Sequence, residues 1–206
     1  MLSKPTQRGI SLIEVMVVVV ITAILMAVAA PAFSNWMAGT RIRATAEAML
    51  AALQHTRTEA TTRNTQVRFQ FTTTLGSDCL RAKGATNWVV DVVDADPNAD
   101  SVENQCDATP SDTVAPSILQ LRSGTESGSG TTVSADADQI VFNGLGRQAA
   151  VAPATTVSAV TIDVGSSRGQ CAASGGDITC LRIVVSPAGQ VRMCNPKIAA
   201  GDPQAC

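Results

Sequence analysis

The 206-residue sequence has no Tyr, a single His and only six aromatic side chains, four Phe and two Trp. One His excludes multi-His metal sites and makes any hydrolytic triad depend on His55. That residue stands among Gln54, Thr56 and Arg57 in a helical pattern, which suits a surface position better than a general base. No phosphate loop, dinucleotide fingerprint or internal repeat occurs. Net positive charge is missing too: the balance is −2 and the pI about 5.3, against a protein whose whole surface grips nucleic acid. No enzyme, cofactor or resident metal is expected.

The acidity is regional. Residues 78–138 hold eleven acidic and three basic side chains, whereas 10–77 and 139–206 each carry a small basic excess. One surface region is therefore negative, not the chain as a whole.

What the sequence does have is a long apolar run. After a polar stretch with Lys4 and Arg8, residues 10–30 read ISLIEVMVVVVITAILMAVAA, interrupted only by Ser11, Glu14 and Thr22. As a helix, 21 residues rise ~31 Å, which matches a hydrocarbon core of ~30 Å. Three readings are open: a secretory signal with a small-residue cleavage site near 27–32, a plain single-span anchor, or an anchor whose acidic residue has a purpose. A carboxylate in such a run is costly and usually has a partner. Cleavage between Gly9 and Ile10 would create an α-amino group with which a neighbouring copy's Glu14 could pair.

Arg8-Gly9-Ile10-Ser11-Leu12-Ile13-Glu14 resembles the prepilin processing motif of type IV pilins and type II secretion pseudopilins. The resemblance implies cleavage after Gly9 by a prepilin peptidase, N-methylation of Ile10, and assembly guided by Glu14. Pro31 falls where these proteins commonly kink. The implied organisation is a leader over 1–9, a transmembrane segment over 10–30, an amphipathic half-helix over 31–64 and a periplasmic head over 65–206. The implied location is the bacterial inner membrane as a single-pass protein, with the other pilins as partners.

Beyond Pro31 the pattern becomes striped. Ile42, Ala46, Met49, Leu53 and Ala60 recur at helical spacing, while Arg41, Arg43, Glu47, Gln54 and Thr58 fall on other sides. The spacing predicts one helix over about 11–63, bending at Pro31 and Gly39 and stopping at Asn64. From Val67 the period drops to two, with Val67, Phe69 and Phe71 alternating with Arg68, Gln70 and Thr72. Further strands are expected at 88–93, 118–121, 139–142, 157–164, 181–186 and 190–194, with 123–138 and 165–177 as surface loops. The fold class is α+β: a long N-terminal helix laid on an antiparallel β head.

Cys79, Cys106, Cys171, Cys180, Cys194 and Cys206 all follow the helix, and an even count in an exported region suggests disulfides. Fifteen pairings exist; joining sequence neighbours would close three local loops. Asp94, Asp96, Asn98 and Asp100 alternate oxygen ligands as a calcium loop would, but Ala99 and Gln105 depart from an EF-type pattern, so a solvated turn is preferred. The stretch from Trp88 to Asp100 also resembles the Trp-containing strand and Asp/Asn-rich turn of GspH/FimT proteins.

A turn at 187–189 puts Arg182 and Arg192 on one strand face, which Arg147 and Lys197 could join to hold DNA phosphates. Residues 188–194 resemble the C-terminal region of FimT-type minor pilins, some of which use Gly-Arg-x-Arg in DNA uptake. Gln190 stands at the first Arg, so DNA contact is not favoured. The expected function is a minor pilin or pseudopilin of a type IV pilus or type II secretion pseudopilus. The alternatives are a DNA-binding minor pilin and a secreted periplasmic binding module.

Overall fold

The computed structural model describes residues 9–94, 100–127, 129–151 and 154–206. The expected leader, apart from Gly9, lies outside them, as do Asp96 and Asn98.

Helix α1 runs from Leu12 to Arg63 without interruption at Pro31 or Gly39. Ser11 caps its start, its Oγ accepting the Glu14 N–H at 3.2 Å. At the other end Asn64 takes a left-handed φ of 50°, and the Thr65 N–H turns back to the Ala60 carbonyl. The chain forms two compact units, Met1–Met37 and Ala38–Cys206. In the first, the side chains of the apolar run are exposed along the helix.

The second unit begins with the striped part of α1. Ala38, Ile42, Ala46, Met49, Ala52, Leu53 and Ala60 are buried, while Arg43, Glu47, Gln54 and Thr58 are exposed. Thr45 and Thr56 share the buried face because each hydroxyl donates to the carbonyl four residues back, Arg41 and Ala52. Two antiparallel sheets follow. One comprises β1 (Val67–Thr72), β2 (Asn87–Val92), β3 (Ile118–Arg122), β5 (Gln139–Phe142) and β6 (Gln148–Ala149), in the order β3-β2-β1-β5-β6. The other contains β4 (Thr131–Ala135), β7 (Val160–Ser166), β8 (Leu181–Val185) and β9 (Val191–Cys194), in the order β4-β7-β8-β9.

A single core joins the helix stripe to Val67, Phe69, Phe71, Trp88 and Phe142 of the first sheet and Ile162, Val164, Ile183 and Val185 of the second. Phe69 lies at its centre, 5.1 Å from Phe71 edge-on and 5.4 Å from Trp88 between ring centroids. The architecture is α+β, as the change of period implies.

Three features depart from the sequence expectation. Thr131–Ala135 is a strand inside the expected loop 123–138, because Val133 and Ala135 find a place against β7 that their Ser- and Gly-rich neighbours do not advertise. Strand β6 is too short to carry a period. Most important, the polar set of β1 does not face water: Arg68, Gln70 and Thr72 are buried along with Asp91 of β2. The excursion between β2 and β3 covers that outer face, with Val102, Cys106 and Cys79 packed on Val89 and Ile118 in a second small core.

Candidate functional site

The start of α1 is the first candidate. Ser11-Leu12-Ile13-Glu14 forms the first turn, with Ser11 as cap and Glu14 at the third helical position. Three residues after the cap, Glu14 lies where unsatisfied N–H groups and the helix dipole favour an anion. From there the apolar side chains reach outward: Ile13, Val17, Val20, Ile24 and Val28 are each more than half exposed or close to it. Thr22 hides its hydroxyl by donating to the Val18 carbonyl at 2.7 Å. Among the described residues, one helix is long and apolar enough to cross a membrane, and its most apolar window has no burial within the protein.

The arginine face is the second candidate. The β8–β9 register sets Val184 opposite Arg192 and Arg182 opposite Cys194, so both arginines lie on one face, as the turn implies. Gly189 closes that turn at φ 83°, and a side chain there would strike the Gly146 carbonyl and the Arg147 backbone. The hairpin tip thus rests against the β5–β6 turn that carries exposed Arg147. Arg182 is paired across the strands with Asp163 through two hydrogen bonds, at 2.7 and 3.0 Å. That bond, with the nearby charges of Asp163 and Asp136, raises the guanidinium further above its ordinary range. Arg192 donates to the carbonyls of Ala205 and Cys206. Lys197 is exposed within the segment that returns from Asn195 to Ala205. Two of the four cations therefore hold the head's own structure.

Of the acidic loop, the described residues include Asp94 and Asp100. Asp100 is nearly buried and ion-paired to Arg68 at 2.6 Å and to Arg81 at 3.1 Å. Asp94 accepts the Ser101 N–H. The Asp100 oxygens thus point at guanidinium groups, and no cluster of metal-ligating side chains occurs among the described residues. Beneath them Arg68 grips Asp91 through Nε and Nη2, the latter at 2.7 Å, and Gln70 adds an amide N–H to the same carboxylate. Burial pushes the Asp91 carboxyl up to about 6 even against the pull of Arg68. Arg68, Asp91 and Arg81 are absent from the sequence-level candidates. The available signal was that β1 and β2 each carry one charge at the same register step, Arg68 opposite Asp91.

All six cysteines are paired as sequence neighbours: Cys79–Cys106, Cys171–Cys180 and Cys194–Cys206. His55 lies 4.0 Å from Glu59 on the helix surface, bordering an open groove of about 350 Å³ lined by Ala48, Ala52, Trp88 and Arg122. Among the described residues, no Ser, Thr or Cys lines that groove.

Among protein families, the one described as type II transport protein GspH matches residues 45–189. The prokaryotic N-terminal methylation motif matches residues 4–30.

The chain belongs to the GspH family.

The GspH match spans α1 from Thr45 onward and the sheets as far as the β8–β9 turn, leaving β9 and the Cys194–Cys206 loop beyond it. As a GspH-family protein its part is structural, not enzymatic. Among solved structures it is similar to the type IV minor pilin FimU of Pseudomonas aeruginosa, at 16% identity and a TM-score of 0.48, over 81% of this chain and 96% of that one. In a second crystal form of FimU the values are 19%, 0.45, 80% and 98%. No curated protein gives a significant match.

Proposed function

We propose that this GspH-family chain is a minor pilin or pseudopilin that is cut between Gly9 and Ile10, methylated on the new terminus and built into a filament through its apolar helix. The observation that carries the proposal is the contrast between the two units. The head closes its own core, whereas the apolar half of α1 exposes Ile13, Val17, Val20, Ile24 and Val28. A surface of that extent needs lipid before assembly and other helices after it. The bacterial inner membrane supplies the first, with the head in the periplasm, where disulfides form. Neighbouring subunits supply the second.

Within that reading Glu14 sets the stagger: its carboxylate pairs with the α-amino group of Ile10 on an adjacent copy. Helices displaced along one another then neutralise each buried charge. The prepilin peptidase is the processing partner. Pro31 belongs to the same shaft segment.

Intact mass of the protein isolated from its native membrane tests the processing step. The expected result is loss of nine residues and gain of one methyl group. Loss of about 29–32 residues, the signal-peptidase outcome, would make the protein a released periplasmic module and end the proposal.

A further inference from the structure

The apolar half of α1 ends in an aromatic pair whose position matches the far boundary of a bilayer. Phe33 and Trp36 lie one turn apart with ring centroids 5.9 Å from each other and planes inclined at 36°. Both remain largely exposed, 59% and 66%. Large aromatic rings are scarce in this chain, and the other Trp, Trp88, is enclosed in the core. Placing two of six on an outward helix face therefore calls for a purpose.

The spacing provides one. Glu14, the acidic residue at the start of the run, and Phe33 are 19 residues apart, or ~28 Å along a helix, and Trp36 is ~33 Å away. A hydrocarbon core is ~30 Å thick. With the Glu14 carboxylate at one headgroup layer, the paired rings fall at the other. There an amphipathic indole is most stable, its ring in the acyl boundary and its N–H among polar groups. Between these two ends no side chain is charged, and Thr22 has satisfied its own hydroxyl. Neither end then pays to enter hydrocarbon.

We propose that Phe33 and Trp36 form an interfacial anchor that binds the lipid headgroup boundary on the side opposite Glu14 and holds the unassembled chain at a fixed depth. The inference rests on the membrane-spanning reading above. Its occupant is a phospholipid surface, and its consequence is that Glu14 waits at a constant height for a partner's amino group. A span held only by its apolar length would be free to slide and tilt.

Depth-dependent quenching tests the anchor. The full-length chain is reconstituted in phosphatidylcholine–phosphatidylglycerol vesicles containing lipids brominated either near the headgroup or near the acyl end. Trp36 is read in a Trp88→Phe variant and, independently, in the wild-type chain, where enclosed Trp88 adds a constant background. The expected result is at least twofold stronger quenching by the shallow bromines than by the deep ones. Phe33→Ala with Trp36→Ala should broaden the depth distribution of a probe attached at Ala29→Cys. Flotation of the same vesicles separates the failures. A chain that does not float with lipid defeats the membrane-spanning reading. A chain that floats while Trp36 is quenched only by aqueous iodide, or most strongly by deep bromines, leaves that reading intact and overturns the anchor.

Discussion

At the scale of single residues, Arg68 shows how a charge enters a β core. Its side chain is 4% exposed, and its partners Asp91 and Asp100 are 0% and 8% exposed. Removing it leaves two facing carboxylates that keep, among the described residues, Arg81 as their ion-pair partner, and an uncompensated buried charge costs about 3–5 kcal/mol. Arg68→Met is therefore expected to lose about that much at pH 7, measured by urea unfolding of the detergent-solubilised chain. The loss should shrink toward pH 5. Asp91 already titrates at about 6 in the wild-type fold against an ordinary 3.8. A carboxyl raised by folding contributes stability in full below its unfolded pKa, and that contribution is lost as pH rises through the folded value. Without Arg68 the folded value rises further, so the variant's stability falls more steeply between pH 4 and 7 than the wild type's. A loss independent of pH would mean that the carboxylates do not face each other as described.

At the scale of elements, the last strand leads into a C-terminal strap. Strand β9 ends at Cys194, and the following segment folds back so that Asn195 bridges Ala205 in parallel while Cys206 closes the disulfide. Arg192 holds the same segment by the carbonyls of Ala205 and Cys206. The strap is thus tied down at Asn195, just past the end of the outermost strand of its sheet. A loop with its ends 12 residues apart contributes about 3 kcal/mol in the chain-entropy account. Replacing Cys194 and Cys206 together by Ser should lower the unfolding free energy by about that amount. It should also open the segment after Asn195 to limited proteolysis, Lys197 being the exposed tryptic site. Unchanged proteolysis would show that Arg192 and the backbone hydrogen bonds hold the strap without the disulfide.

At the scale of the whole molecule, the two units make opposite demands on their surroundings. The head is complete, whereas the apolar helix is stable only against lipid or other helices. Glu14 is the one acid in that helix half, and the helix N-terminus alone does not neutralise a full charge there. Glu14→Ala is expected to leave the protein processed and membrane-bound while cutting its recovery in sheared filaments at least tenfold, scored by immunoblot of the two fractions. Normal incorporation would remove Glu14 from the assembly role. The arginine face carries no comparable expectation for DNA: Arg182 is neutralised by Asp163, and Arg192 is committed to the strap.

Much of this was legible from residue order, for local reasons. The helix from Leu12 to Arg63, its stop at Asn64, the stripe through Ile42 and Leu53 and the period-two strands all follow from short-range periodicity and backbone preference. The facing of Arg182 and Arg192 followed from turn length alone. Long-range packing decided the rest. The alternation of Arg68 and Gln70 with Val67 and Phe69 signals a polar face, but no local signal says that a loop some thirty residues on will seal it. Whether Asp100 meets water, a cation or a guanidinium depended on where that loop came to rest. A charge declares its cost in sequence, and only the tertiary fold supplies its partner.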